Sequence, residues 1–285
     1  MFLALAAIAL WSTNAVTAKL VLADLPVSLV QCLQFAGATL VFAVMHMTNH
    51  QRRPFPAGVR AGGLALGLVG LVGTMVLQYL AFASMPVIEA NLIAYTWPLL
   101  VAAGLILARR VARPLRLAVL ALTGFAGAAL VITGGSGGLT LAGELHAYAA
   151  AIGSALCMAW YTLMIGRSTV PPEQLLLPSA LIGLAGTLIW AIADGLHSAS
   201  AGTILAGLYL GAGPMGLGYV LWSKAMRSDT GGRMAILGYL TPIGSTALLV
   251  VSGEHLSHIA AVGAVLVIVS CLAVGLQQME RKGHA

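Results

Sequence analysis

Ten long apolar stretches follow one another along this chain, separated by short segments that hold most of its charged residues. The stretches span Phe2–Val21, Pro26–Met47, Gly62–Phe82, Glu89–Leu107, Leu115–Ile132, Leu145–Ile165, Leu175–Ala193, Thr203–Ser223, Met234–Val251 and Ile259–Leu276. A helix needs about 20 apolar residues to cross the hydrocarbon core of a bilayer, and each stretch approaches that length. The pattern therefore predicts an all-α integral membrane protein with ten transmembrane helices.

Composition supports this class and excludes others. The chain is 60% hydrophobic and 8% charged, whereas soluble domains carry roughly 25% charged residues. Its net charge of +6 comes from short loops between spans, where anionic lipid explains it without nucleic acid as a partner. Cys32, Cys157 and Cys271 all fall within predicted spans. There they pack as small apolar residues, so no disulfide framework is indicated.

The positive charges are distributed unevenly, and this predicts an orientation. If the amino terminus is cytoplasmic, all of the 14 Lys and Arg residues except Lys19 fall in cytoplasmic loops or in the carboxyl-terminal tail. The positive-inside rule then places both termini in the cytoplasm. The first stretch has no basic segment before it and no clear cleavage site, so we expect a retained helix rather than a signal peptide.

The chain contains a hidden duplication. A shift of 144 residues aligns spans three and four with spans eight and nine. The strongest matches are two Gly-x-x-x-Gly pairs and two Tyr-x-x-Pro motifs, which superimpose Gly63 and Gly67 on Gly207 and Gly211, and Tyr95 and Pro98 on Tyr239 and Pro242. The repeat is therefore five helices long. It predicts two units, residues 1–138 and 139–285, that meet at the Gly134–Gly138 run.

An odd number of crossings places the second unit in the membrane upside down relative to the first. Inverted repeats are the plan of many secondary transporters, whose substrate sites lie between the halves near the bilayer midplane. A pump, a channel or a membrane enzyme can also arise by duplication. Transport is nevertheless the leading hypothesis.

Glycine and proline residues at matched positions indicate close packing and bending. The Gly-x-x-x-Gly pairs let the third helix of each unit approach a neighbour closely, either as static packing or as a sliding contact. Proline removes a helix hydrogen bond and clashes with the preceding turn. We expect Pro98, Pro214 and Pro242 to act as hinges, with inert kinks as the alternative.

Aromatic and amide side chains lie inside the spans, where lipid does not favour them. In the fourth span Asn91, Tyr95 and Pro98 have the spacing of one helix face. A cavity walled by Trp, Tyr and amides suits an amphiphilic ligand with an apolar body. For each single residue the alternatives are packing between helices and a position in the interfacial aromatic belt.

Charged residues are missing from the centre of every span. Glu89 and Glu144 lie near outer ends, and a proton-driven carrier usually places an ionisable group within the membrane. Glu89 or His146 can relay protons only if water reaches them, so the pattern favours zwitterionic or neutral substrates. The fifth and tenth spans are almost purely apolar and are expected to lie outside the transport path. No zinc spacing, phosphate loop or catalytic motif is present, which predicts no metal, no cofactor and no enzymatic activity.

Three motifs carry a resemblance to a known family. The Ala-Leu-Trp-Ser-Thr-Asn segment ending at Asn14, the Glu89–Pro98 stretch, and Gly253-Glu254 before a glycine-rich last span resemble the EamA-type repeats of the drug/metabolite transporter superfamily. The similarity covers nearly the whole chain. Within the superfamily the chain is most similar to the bacterial aromatic amino acid exporters of the YddG type.

The resemblance implies a ten-helix carrier of the bacterial inner membrane that exports aromatic and other neutral amino acids by alternating access. Its expected partners are a small-molecule substrate and the lipid bilayer, and a monomer is the expected state. The cavity residues that it implies are Trp11, Asn14, Gln34, Tyr79, Asn91, Tyr95, Trp97, Trp160, Tyr161 and Tyr239. Glu254 aligns with Arg110 in the first unit, so its role has no matched partner.

Two alternatives remain open from the sequence. One is a carrier of the same fold for another metabolite or drug, including nucleotide sugars and lipid-linked substrates. Such a carrier of phosphorylated substrates needs basic residues that face the cavity. The other is a membrane scaffold without transport, which needs neither a polar cavity nor paired prolines.

Overall fold

The computed structural model describes residues 1–49, 57–134, 143–168, 170–195, 197–228, 233–251 and 257–282, and every regular element in these ranges is helical. Fourteen α-helices occur there: α1 Phe2–Ser12, α2 Asn14–Asp24, α3 Val27–Thr48, α4 Ala57–Gly67, α5 Thr74–Ser84, α6 Val87–Ala94, α7 Trp97–Leu107, α8 Pro114–Thr133, α9 Leu145–Ile165, α10 Pro172–Ala193, α11 Ala201–Leu210, α12 Gly218–Ser228, α13 Leu240–Val251 and α14 His258–Lys282. Gly253 and Glu254 lie outside the described residues.

Eight segments of this part of the chain are long and apolar enough to cross a membrane. They are Phe2–Asp24, Val27–Thr48, Ala61–Ser84, Ile88–Leu107, Pro114–Thr133, Leu145–Ile165, Pro172–Ala193 and Ala201–Ser228. Two shorter apolar helices, Met234–Leu248 and His258–Val274, occupy the positions of the predicted ninth and tenth spans. The structure is therefore an all-α, multi-span membrane protein.

Several helices begin where the local sequence favours a start. Pro114 and Pro172 are the first residues of α8 and α10, where the missing proline N–H is not needed for helix hydrogen bonding. Ser200 precedes α11, and its hydroxyl accepts a hydrogen bond from the Thr203 backbone N–H at 3.1 Å. This side-chain cap satisfies one of the unpaired N–H groups at the helix start.

Two spans contain a π-helical segment at matched positions. The first π segment, Leu68–Gly73, joins α4 to α5, and the second π segment, Gly211–Leu217, joins α11 to α12. The 144-residue shift places the first segment within the second. A π segment interrupts the regular hydrogen-bond ladder and is frequent at functional sites. Pro214 lies inside the second π segment, as its predicted hinge role requires a local break.

The fourth and ninth predicted spans are also broken at matched positions. The helix of the fourth span ends at Ala94 and restarts at Trp97, after a turn at Tyr95 and Thr96. In the ninth, a 3₁₀ segment, Arg233–Tyr239, precedes α13. The fourth span is therefore not one continuous helix, although the Tyr95 N–H still donates a hydrogen bond to the Asn91 carbonyl at 2.8 Å.

The positions of two prolines explain these breaks. Pro98 lies in the first turn of α7, and Pro242 is the third residue of α13. Both follow the break directly, where their lack of an N–H costs little. Each proline thus helps to end one helical segment and begin the next, rather than bending a continuous helix.

The two Gly-x-x-x-Gly pairs form reciprocal contacts between the predicted units. Gly63 and Gly67 of α4 lie against Leu175 and Ser179 of α10, while Gly207 of α11 lies against Leu33 of α3. A methyl group added at Gly63 would stand 2.6 Å from a Leu175 methyl carbon, so the helices touch at glycine. The close approach predicted from the sequence is confirmed. Helices α3 and α10 also pack on each other between these contacts.

Helices α8 and α14 form a separate pair. A Cβ at Gly127 would lie 2.7 Å from the Gly263 carbonyl oxygen, so the two backbones cross at these glycines. Ser270 donates a hydrogen bond to the Leu120 carbonyl across the same interface at 2.7 Å. The middle of each helix is mainly apolar, in agreement with the sequence of these two stretches.

Candidate substrate cavity

A cavity with about 100 Å³ of room for water molecules lies among the broken helices. It is lined by Trp11, Asn14, Gln34, Thr74, Met75, Gln78, Ala94, Tyr95, Trp97, Ser154, Ala155, Met158, Pro214, Met215, Tyr219 and Thr241. Among these described residues, none has a charged side chain. Helices α8 and α14 contribute none of them.

The breaks in the helices bring backbone and side chains to this cavity. Ala94, Tyr95 and Trp97 flank the turn between α6 and α7, and Pro214 lies in the second π segment. Interrupted helices are tolerated in membranes where they line a cavity, because freed backbone groups find partners there. The cavity thus lies where the chain departs from regular helix.

Five aromatic side chains form a packed cluster at one side of the cavity. We call Trp11, Trp97, Tyr161, Tyr219 and Trp222 the aromatic cluster. Its ring centroids are separated by 5.2 Å for Trp11–Trp222, 5.5 Å for Trp97–Trp222, 5.5 Å for Tyr161–Tyr219 and 6.1 Å for Trp11–Tyr219. These distances are typical of favourable aromatic pairs. Tyr161 and Trp222 are fully buried, so the cluster closes the cavity on this side.

The aromatic cluster also bonds to the two π segments. The Trp11 Nε1–H donates a hydrogen bond to the Pro214 carbonyl at 2.9 Å, and the Tyr219 hydroxyl donates one to the Gly70 carbonyl at 3.3 Å. Gly70 and Pro214 are 144 residues apart, so they are equivalent positions of the duplication. Each π segment therefore has one carbonyl bound by an aromatic side chain that lines the cavity.

A row of amides leads from the interior to the cavity wall. Gln31 donates a hydrogen bond through Nε2 to Gln34 Oε1, and Gln34 Nε2 donates one to the Tyr79 hydroxyl at 2.7 Å. Gln31 and Tyr79 are buried behind Gln34. They hold the Gln34 amide in place, since a buried amide must find partners. Tyr79 thus supports the wall without lining it.

Of the ten cavity residues implied by the resemblance, five line this cavity: Trp11, Asn14, Gln34, Tyr95 and Trp97. Tyr79 and Tyr161 contact lining residues from behind, through Gln34 and Tyr219 respectively. Tyr239 is fully buried against Phe125 and Gly124 and is not among the lining residues. Asn91 lies in α6 before the break and is not among the lining residues.

Trp160 lies on the outside of the helical body. It is 38% exposed and follows Ile152 and Leu156, which are also exposed, at four-residue steps along α9. Residues at i, i+4 and i+8 share a helix face, so this stripe faces away from the cavity. The neighbouring residue Tyr161 is fully buried on the inner side. We therefore do not include Trp160 among the proposed substrate contacts.

Several lining residues were missed by sequence reasoning although the duplication pointed to them. Positions that align under the 144-residue shift line the cavity in pairs: Trp11 with Ala155, Asn14 with Met158, Met75 with Tyr219, and Trp97 with Thr241. Tyr219 is the most important of these, because it joins the aromatic cluster to the first π segment. Applying the shift to Trp11, Asn14 and Trp97 would have found Ala155, Met158 and Thr241, but not Tyr219, whose counterpart Met75 is not aromatic.

Glu89 and His146, the residues considered for proton relay, are not among the lining residues. Glu89 is buried and accepts a hydrogen bond from the Tyr148 hydroxyl at 2.6 Å. His146 and Glu144 form an exposed pair with 3.1 Å between Nδ1 and Oε2. In the described part of the chain, no group of His, Cys, Asp and Glu has the arrangement of a metal site.

A bundle of apolar helices around a central cavity with polar and aromatic walls is the architecture of a membrane transporter. The chain belongs to the EamA-like transporter family, which matches residues 1–133 and 145–276. It is therefore a transporter and not an enzyme.

Two known proteins are similar to this chain over most of its length. A curated protein of Ancylobacter novellus named "Aromatic amino acid exporter YddG" is 31% identical over 230 residues, which cover 79% of this chain and 75% of that protein. A solved structure titled "Crystal structure of protein" is 27% identical, with a TM-score of 0.80, and the match covers 97% of this chain and 98% of that one. The family resemblance carried by the sequence motifs is confirmed.

Proposed function

We propose that this chain exports aromatic and other neutral amino acids from the cytoplasm across the bacterial inner membrane by alternating access. The observation that carries the proposal is the composition of the cavity wall, which combines Trp and Tyr faces with amides and hydroxyls and has no charged side chain among its described residues. Aromatic walls suit an apolar side chain. The amides and hydroxyls suit the amino and carboxylate groups, and the relative named as an aromatic amino acid exporter supports the same substrate class.

The alternative substrates fit the cavity less well. A nucleotide sugar or a lipid-linked phosphate carries negative charge, which proteins bind with Arg, Lys or helix N-termini. Among the described lining residues there is no Arg or Lys to meet it. A scaffold without transport leaves a polar cavity and matched helix breaks unexplained.

We further propose ten spans arranged as two inverted five-helix repeats, residues 1–138 and 139–285. Three observations support this arrangement: the matched π segments, the paired lining positions, and the family match to two successive ranges of the chain. In such a carrier the two halves exchange conformations around a fixed site. Pro98, Pro214 and Pro242 lie at or next to the breaks and serve as the hinges.

Counterflow in proteoliposomes tests the substrate class. Vesicles loaded with unlabelled tryptophan and diluted into labelled tryptophan, phenylalanine, leucine or glutamate should accumulate the first three transiently and exclude glutamate. No imposed pH gradient should be needed, because no lining residue among those described is ionisable near neutral pH. The proposal fails if no amino acid is exchanged. A proton relay would instead be revealed if a pH gradient drives accumulation above equilibrium and Glu89→Gln or His146→Ala abolishes only that accumulation.

The orientation has its own test. A reporter fused after Ala285 should be active in the cytoplasm, and one inserted in the Gly134–Gly138 run should be active outside, because the positive charges hold their loops inside. Matched fusions within Ala108–Arg113 serve as a cytoplasmic control. A carboxyl terminus that is accessible from outside intact cells would contradict the prediction that both termini lie in the cytoplasm.

A further inference from the structure

One face of α12 leads away from the cavity toward the end of the helix. Tyr219, Ser223 and Arg227 follow at four-residue steps and therefore lie on the same face. Tyr219 lines the cavity, and Arg227 lies about 12 Å further along the helix axis. This face of α12 is therefore a line of polar side chains that starts at the candidate cavity.

A hydrogen bond closes this line in the present conformation. The hydroxyls of Tyr161 and Ser223 are 2.6 Å apart, and Ser223 also donates to the Tyr219 carbonyl of its own helix. Tyr161 and Ser223 are both fully buried. The Tyr161 ring packs against Tyr219 on the cavity side. The Tyr161–Ser223 contact thus separates the cavity from Arg227.

Beyond this closure, two side chains of opposite charge each keep buried polar atoms without a hydrogen-bond partner. Glu173 is 5% exposed; its Oε1 accepts a hydrogen bond from Asn49 Nδ2 at 2.8 Å, whereas Oε2 has no partner. The Arg227 Nε and Nη2 are buried and likewise have none. The Arg227 guanidinium lies within electrostatic range of Glu173 and Tyr161, and helices α10 and α12 pack on each other.

These unpaired atoms are a strained arrangement that a ligand can relieve. Within the described residues, no ion pair of 4.0 Å or less joins Arg227 to Glu173, so the two charges do not satisfy each other directly. Leaving buried charged groups without hydrogen bonds is costly. A guanidinium binds a carboxylate through two parallel hydrogen bonds. A carboxylate in turn binds an ammonium group, so the pair is complementary to the backbone end of a free amino acid.

We propose that Arg227 and Glu173 form a second substrate subsite, in which Arg227 binds the carboxylate and Glu173 the ammonium group of a zwitterionic amino acid. The subsite is reached when the Tyr161–Ser223 contact opens, so that the substrate passes along the Tyr219–Arg227 face of α12. The inference rests on the proposed amino acid transport. It assigns recognition of the charged end of the substrate to a place outside the central cavity, whose described walls carry no charge.

Tryptophan exchange by variants in proteoliposomes tests this subsite. Arg227→Gln should raise the half-saturating concentration of tryptophan at least about tenfold, because a charge-assisted hydrogen-bond pair is lost. Arg227→Lys, which keeps the charge but not the two-pronged donor, should have an intermediate effect. Lys224→Gln is the matched control: it removes a positive charge one turn earlier on the same helix from an exposed position, and it should change nothing.

Ligands that lack one charged group distinguish a residue that binds the substrate from a residue that only stabilises the fold. The inhibition constant of tryptamine, which has no carboxylate, should be the same for Arg227→Gln as for the unchanged protein. The inhibition constant of indole-3-propionate, which has no ammonium group, should likewise be the same for Glu173→Gln as for the unchanged protein. Equal weakening of tryptophan and tryptamine by Arg227→Gln would show a structural ion pair and overturn the subsite, as would no effect at all.

The controls distinguish failure of the subsite from failure of the proposed function. All variants are compared at equal amounts of monodisperse purified protein. If Arg227→Gln does not fold, the same measurements are made with Arg227→Lys. If the unchanged protein exchanges tryptophan but Arg227→Gln behaves identically, only the subsite is refuted. If the unchanged protein exchanges no amino acid, the proposed function is refuted and the subsite with it.

Discussion

Replacing Trp11 by alanine is expected to reduce tryptophan exchange about 100-fold while the protein still inserts in the membrane. The change removes the hydrogen bond to the Pro214 carbonyl and the ring contacts with Tyr219 and Trp222. One neutral hydrogen bond contributes about 1 kcal/mol, and each aromatic contact about 0.5–1.5 kcal/mol. These contacts hold the Trp11 ring in the cavity wall, and losing about 2.7 kcal/mol of that support in the transport step corresponds to the 100-fold loss. The rate of counterflow at fixed protein amount measures it.

Trp160→Ala is the matched control for this prediction. It is the same substitution in the same protein, but at a tryptophan that is exposed on the outer face of α9. We expect its exchange rate to stay within about twofold of the unchanged protein, because surface substitutions usually have small effects. A similar loss in both variants would show that tryptophan removal acts through general destabilisation. A loss confined to Trp160→Ala would remove Trp11 from the substrate site.

Replacing Gly211 by leucine is expected to prevent accumulation of folded protein. Gly211 starts the second π segment and lies against the backbone of α3, where an added Cβ would overlap the Gln34 carbonyl and stand 2.9 Å from the Gln34 Cα. Backbone atoms cannot move aside as a flexible side chain can. Overpacking a tight contact costs about 1–3 kcal/mol or more. Here α3 and α11 would have to separate, so the upper end of that range applies.

The control for this substitution is Gly186→Leu. Gly186 lies in the middle of α10, is exposed, and has no atom within 4 Å of an added Cβ. Leucine there should be tolerated in the membrane. The yield of monodisperse protein in detergent and its thermal unfolding temperature distinguish the two variants. Normal yield and unfolding temperature for Gly211→Leu would contradict the close helix contact.

The helical class and the regions of close packing could be predicted from the sequence because they depend on local patterns. Apolar stretches of bilayer length predicted membrane helices, and eight of them meet that expectation in the described structure. The Gly-x-x-x-Gly pairs predicted close helix approach, since only glycine allows two backbones to touch. The family resemblance could be seen in three short motifs, because a motif is made of neighbouring residues.

Only half of the candidate site could be predicted. Whether a side chain faces the cavity depends on the rotation of its helix and on the breaks within the helices. Trp160 and Tyr161 are adjacent in sequence, yet one faces outward and the other is fully buried. A periodicity argument assumes a continuous helix, and the turn at Tyr95 and Thr96 removes that assumption in the fourth span. Tyr239 matches Tyr95 in the duplication, but it packs against Phe125 rather than the cavity.

By itself the sequence determined an apolar, multi-span helical protein of a transporter family with an internal repeat. The length of apolar stretches, the spacing of glycines and the identity of motifs are properties of residues that are neighbours in the chain. Only the tertiary structure decided which side chains meet. The bonds from Trp11 to Pro214 and from Tyr219 to Gly70 join residues 203 and 149 positions apart. The unpaired atoms of Glu173 and Arg227 are likewise visible only in three dimensions. Such contacts depend on how helices cross, and no local pattern encodes the crossing.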